Sequence, residues 1–148
     1  MSRSEISDAV VLAWARLNLA QRRVFEAVES EVREHGFPAL AWYDVLLELW
    51  RRSPGCGLSQ ADLQQELLFA QYKLSRLIDR MEEAGLVRRE PHPEDRRARW
   101  IVATEKGLAL RAQIWPVYAA AIERHIGAKL SDTEAATLAA LLGKLIGR

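Results

Sequence analysis

The chain has 148 residues, with 21 Lys and Arg against 20 Asp and Glu, so a net charge of +1 excludes a polycation that holds nucleic acid by bulk charge alone. That length predicts one domain, 1–148, large enough to bury a core without staples. One Cys forms no internal disulfide, and with three His no structural zinc set is reached.

The N-terminus carries Glu5 and Asp8 where a signal peptide needs positive charge and a clean apolar run. The longest stretch free of charge and histidine, Ala112–Ile122, is far shorter than the roughly 20 residues that span a bilayer. A cytoplasmic protein with no membrane partner is expected. With only 8 Gly and 5 Pro and no fixed-period repeat, little of the chain reads as disordered.

Helical periodicity dominates. Ile6, Val10, Ala13, Trp14, Leu17, Val24, Val28 and Val32 step by three and four, giving a long first helix that ends near His35-Gly36. Gly36-Phe37-Pro38 breaks it, and a second helix follows over about Ala39–Arg51. Ser53-Pro54-Gly55-Cys56-Gly57 is a loop by composition. Ser59 can then cap a third helix that runs to about Leu67, with Leu58 stapled onto Leu63. A fourth helix starts near Ala70 and presents Leu74, Leu77, Ile78, Met81 and Leu86 on one side, with Gly85 as its C-cap.

The period then changes. Leu86–Glu90 and Arg99–Ala103 read as two strands around a charged tip, which Pro91 and Pro93 keep out of the ladder. Thr104 can cap a fifth helix whose stripe runs Leu108, Ala112, Trp115, Ala119, Ile122 and Ile126, with a kink expected at Pro116. Ser131 and Glu134 form a capping box for the last helix, striped by Ala135, Leu138, Ala139, Leu142, Leu145 and Ile146. The fold class is therefore mainly α with a small β-hairpin wing: a winged helix-turn-helix over 37–103. The helical regions 1–36 and 104–148 are apolar over more of their circumference than one neighbour covers, which predicts a homodimer.

Position makes the case for DNA better than charge does. Residues 51–99 hold ten basic and eight acidic residues, which is barely a bias. Yet Arg88, Arg89, Arg96, Arg97 and Arg99 all fall on the hairpin, and Gln71, Tyr72, Lys73, Ser75 and Arg76 open the fourth helix. A recognition helix presents such side chains to base edges, and an arginine on an extended tip suits the narrow minor groove. The plainer account is that helix starts and hairpin tips are polar in most soluble proteins.

The stretch Leu74–Arg89 resembles the recognition helix and first wing strand of MarR-family transcriptional regulators. Asp95-Arg96-Arg97 followed by Thr104-Glu105-Lys106-Gly107 is similar to that family's wing signature, and Leu130–Leu145 to its last helix. Ala103 stands where the family has a leucine, and Ala70-Gln71-Tyr72-Lys73 differs from its Ser/Thr-rich version. The resemblance implies a double-stranded operator as partner, Arg97 as the minor-groove arginine with Asp95 orienting it, and Ser75 and Arg76 contacting bases or phosphates. Gln71, Tyr72, Lys73, Arg96 and Arg99 belong to the same surfaces without a matching motif residue. It also implies a pocket for a small aromatic effector, with Trp14, Trp42, Trp115 and Tyr118 as candidates. As single residues, such aromatics more often serve as core.

Cys56 lies before the helix-turn-helix, not near the first helix where redox-sensing relatives carry their thiol. His35, His92 and His125 have no second His or Cys at i+3 or i+4, so no metal is expected. No phosphate loop or nucleophile elbow supports an enzyme or a cofactor. The reading is a sequence-specific, homodimeric regulator, expected to be a repressor responsive to a ligand. The alternative is a winged-helix module that binds an acidic protein without touching an operator.

Overall fold

The computed structural model describes residues 5–52, 56–68, 73–95 and 97–148. The chain runs α1 (Asp8–Glu34), α2 (Leu40–Trp50), β1 (Leu58–Ser59), α3 (Gln60–Glu66), α4 (Leu74–Glu83), β2 (Val87–Pro91), β3 (Arg99–Ala103) and α5 (Glu105–Ile122). A π-helical turn (Glu123–Gly127) and α6 (Asp132–Ile146) complete it. Two compact units emerge: residues 32–117, and residues 1–31 with 118–148.

In residues 32–117 one apolar core gathers a few side chains from each element. Val45, Leu46 and Leu49 come from α2, Leu58 from β1, Leu63 from α3, and Leu74, Ile78 and Met81 from α4. Leu86, Val87 and Ile101 close it from the chain end of α4 and from the sheet. The three α4 residues recur at i, i+4 and i+7, one stripe of a 3.6-residue helix, so its opposite face is free for other work. α2 is buried on most of its circumference and carries two buried acids, Asp44 and Glu48. Arg51 covers the Glu48 carboxylate at 3.2 Å.

The sheet has three antiparallel strands in the order β1-β3-β2, not the two of a simple hairpin. Leu58, read from sequence as only a staple, pairs with Ile101, and Ser59 with Trp100. Ser59 also caps α3, its Oγ accepting from the Asp62 amide at 3.1 Å. β2 starts at Val87 and extends one residue further than expected, with Pro91 opposite Arg99. A proline fits there because β2 is an outer strand and the residue is its last.

Residues 1–31 and 118–148 are built differently. No residue of α6 is buried, and Leu138, Leu141, Leu145 and Ile146 stand exposed along it. Ile6, just before α1, and Val10, Trp14 and Leu17 in its first half are likewise exposed. The capping box of α6 forms as expected, with Ser131 Oγ accepting from the Glu134 amide and Glu134 Oε1 accepting from the Ser131 amide. The fifth helix does not run to Ile126. Pro116 lies inside α5 without ending it, and α geometry gives way only at the π turn from Glu123. No helix among the described residues is long and apolar enough to cross a membrane.

Candidate nucleic-acid interface

The outward face of α4 is set by the inward one. With Leu74, Ile78 and Met81 buried, Ser75, Arg76, Asp79 and Arg80 are turned to solvent. The helix begins later than its sequence suggests, at Leu74, with Lys73 in the extended N-cap position. Lys73 thus precedes the helix instead of riding on it. Its side chain makes no cap bond, and the first turn holds no acid. The macrodipole's positive end is therefore not neutralised locally, an arrangement that suits a phosphate. Gln71 and Tyr72, assigned from sequence to the same surface, lie outside the described residues, as does Arg96 of the wing.

The wing tip is folded by its own backbone. The His92 amide donates to the Ala98 carbonyl at 3.0 Å, and the Ala98 amide to the Asp95 carbonyl at 3.1 Å. Asp95 Oδ1 accepts from the Arg97 backbone N–H at 3.0 Å. The expected Asp95–Arg97 partnership is therefore a turn that fixes the backbone, and among the described contacts it is not a guanidinium pair. The His92 ring lies tilted against Trp100, 5.4 Å between centroids, which braces the base of the tip. Arg97 and Arg99 are exposed.

The hairpin's arginines divide into two sets. Arg88 pairs with Glu90 on its own strand at 3.2 Å. Arg89 turns toward α4 and meets Asp79 at 2.7 Å and Glu82 at 3.1 Å. Lys73, Arg76, Arg97 and Arg99 form no ion pair among the described residues. The arginine count in the sequence gave no sign of this division, because Arg89's partners sit seven and ten residues away across a turn.

The candidate effector aromatics fall in different units. Trp42 and Trp115 belong to residues 32–117, Trp14 and Tyr118 to the other unit. Trp42 packs against the core, Trp115 stacks on Tyr43 with centroids 6.3 Å apart and rings 16° from parallel, and Trp14 is exposed. Arg111 lies over the Trp50 ring at 4.0 Å, a pair that sequence periodicity did not single out. Cys56 is exposed and free, and no group of three or more His, Cys, Asp or Glu among the described residues could hold a metal.

Residues 35–98 match the sequence pattern of the MarR family. The HTH-type transcriptional regulator PecS of Dickeya dadantii (strain 3937) is 30% identical over 129 residues, covering 87% of this chain and 72% of PecS. The crystal structure of AbsC, a MarR family transcriptional regulator from Streptomyces coelicolor, superposes with a TM-score of 0.81 at 28% identity, over 99% of this chain and 97% of AbsC. The solved structure of the transcriptional repressor CouR, bound to a 23-mer DNA duplex, gives a TM-score of 0.80 at 26% identity, over 99% of this chain and 100% of CouR.

Proposed function

The chain belongs to the MarR family of transcriptional regulators, and from that membership we propose that it acts as a homodimeric repressor on a pseudo-palindromic operator, with a small aromatic effector setting its affinity. It is a DNA-binding regulator of transcription, not an enzyme.

One observation carries the reading. Residues 32–117 combine an outward α4 face bearing Arg76 with a wing bearing Arg97 and Arg99 at its tip, none of them in an ion pair among the described residues. Gln71, Tyr72, Lys73, Ser75 and Arg76 are assigned to the major groove. Arg97 is assigned to the minor groove, with Asp95 shaping its turn and Arg96 and Arg99 beside it. CouR, a transcriptional repressor of similar fold bound to a duplex, supports both the assignment and the reading as a repressor. Residues 37–103 are the DNA-binding module and 1–36 with 104–148 the dimerisation region of one domain working in the cytoplasm. Dimerisation is favoured by the exposed apolar stripes of α1 and α6, since each Å² left wet forgoes roughly 25 cal/mol. The exposed Trp14 and Trp115, with Trp42 and Tyr118, remain the candidates for the effector. A winged-helix module that binds only protein has no counterpart among the relatives named above.

The test is selection of duplexes from a random pool, followed by titration across a salt series. Two-fold symmetric sites with half-sites about 10 bp apart are expected, with a log–log salt slope of about −0.9 per neutralised phosphate. Arg97→Ala should weaken binding and blunt the preference for a narrow minor groove. Footprints without symmetry, no duplex binding at low salt, or full affinity in Arg97→Ala would overturn the reading.

A further inference from the structure

We propose that Arg89 is a positioning residue for DNA reading, locking α4 to the wing so that both surfaces meet one duplex in a fixed relation. The proposal rests on the DNA-binding function given above. Arg89 is the middle residue of β2, the outer strand of the wing sheet on the side away from β1, and it stands opposite Ile101 of β3. Its side chain is only 18% exposed and reaches away from the sheet to α4. There Nη2 lies 2.7 Å from Asp79 Oδ1 and donates to the Ser75 carbonyl at 3.3 Å. Nη1 donates to Glu82 Oε1 at 3.1 Å, and the Arg89 backbone N–H donates to Glu82 Oε2 at 2.9 Å.

Ser75, Asp79 and Glu82 stand at i, i+4 and i+7, so a single guanidinium spans two turns of one α4 face. The grip includes the backbone of Ser75, itself assigned to the DNA. A planar fork with five donors can hold two carboxylates and a carbonyl together, whereas an ammonium presents one point charge. The same pairing answers a charge problem. Asp79 and Glu82 are 56% and 41% exposed on the helix that approaches phosphates, and unpaired they would repel DNA. Arg89 is thus a wing arginine committed to its own protein and not to the nucleic acid.

The two roles separate under substitution. Arg89→Lys keeps the charge and loses the fork. A phosphate contact would tolerate the change. For a positioning residue, the ratio of affinities for the selected site and random duplex should fall at least ~10-fold, about 1.4 kcal/mol, while the salt slope on random duplex stays unchanged. A residue serving stability alone would lower the unfolding midpoint and leave that ratio intact at temperatures where the protein remains folded. Asp79→Asn should reduce the ratio as well, and the double variant should lose little more than either single one, because both break one link. If Arg89→Lys does not fold, Asp79→Asn alone decides in the same way. An unchanged ratio in the folded variant overturns the proposal, as does an Arg89→Gln protein whose salt slope shrinks by about one phosphate. If the unmutated protein fails to bind any duplex, the DNA-binding function falls first and this inference with it.

Discussion

The Thr104 hydroxyl donates to the Gly85 carbonyl at 2.6 Å while accepting from the Gly107 amide at 3.0 Å. One side chain thus caps the start of α5 and satisfies a carbonyl just past the end of α4. The fit depends on Gly85 at φ +77°, a left-handed turn that a side chain would strain. Lys106 Nζ adds a bond to the Ala84 carbonyl at 2.7 Å. Thr104→Val keeps the shape and removes both hydroxyl bonds, so it should cost about 1–2 kcal/mol in urea unfolding. A loss under about 0.3 kcal/mol would mean that water replaces both bonds.

Gly107 lies on the same seam and tolerates no side chain. A Cβ there would overlap the Leu86 carbonyl oxygen and press on the Leu46 side chain. Gly107→Ala gains about 1 kcal/mol of helix propensity, but the overlap is with backbone, which yields less readily than a flexible side chain. A net destabilisation of about 1–3 kcal/mol is expected. A raised melting temperature would show that α5 can shift away from Leu86 without penalty.

In residues 1–31 and 118–148, Glu31 faces Arg124 at 2.6 Å and His125 at 3.2 Å. The hydrogen bond from Arg124 holds the Glu31 carboxyl below the ordinary glutamate value, burial opposes it, and His125 adds to the lowering. A carboxylate with a lowered folded pKa contributes stability that is full above its unfolded pKa, roughly 4.3. That contribution is lost as pH falls through the folded value. Glu31→Gln should therefore be less stable than the parent at pH 6, and the gap should narrow on acidification below about pH 4. Denaturant midpoints against pH would decide, and a gap that stays constant to pH 2 rules the cause out. Glu134, lowered by its bonds from Ser131, titrates in the same direction in both proteins and cancels in the difference.

The apolar stripe of α6 yields the test of assembly. Leu145 is 70% exposed and Leu142 half-buried. Leu142→Glu with Leu145→Glu should convert a dimer to a monomer in sedimentation at micromolar concentration, and should abolish tight operator binding with it. An unmutated protein that sediments as a monomer there would remove the dimer from the proposal.

Elements with strong local signals were legible in the sequence. The α6 capping box and the three-four spacing of Leu74, Ile78 and Met81 gave their helices directly. β1 was not legible, because Leu58-Ser59 is too short to alternate and exists only because β3 has a second edge to fill. The late start of α4 was missed for a similar reason. The apolar stripe begins at Leu74, and polar residues before it carry no period. At the interface, sequence supplied the arginines but not their partners. Arg88, Arg89, Arg97 and Arg99 are alike as letters, and only folding brings Asp79 and Glu82 to one of them.

The three-stranded sheet also protects the protein from itself. β3 is paired on both sides, so the exposed margins are β1, two residues long, and the outer side of β2. β2 ends in Pro91, which has no N–H to offer, and carries the charged Arg88 and Glu90. An incoming strand finds on either margin too few groups to template a ladder, the usual safeguard against edge-to-edge aggregation. Copies of the protein at high concentration can therefore lie wing against wing without fusing them into a continuous sheet.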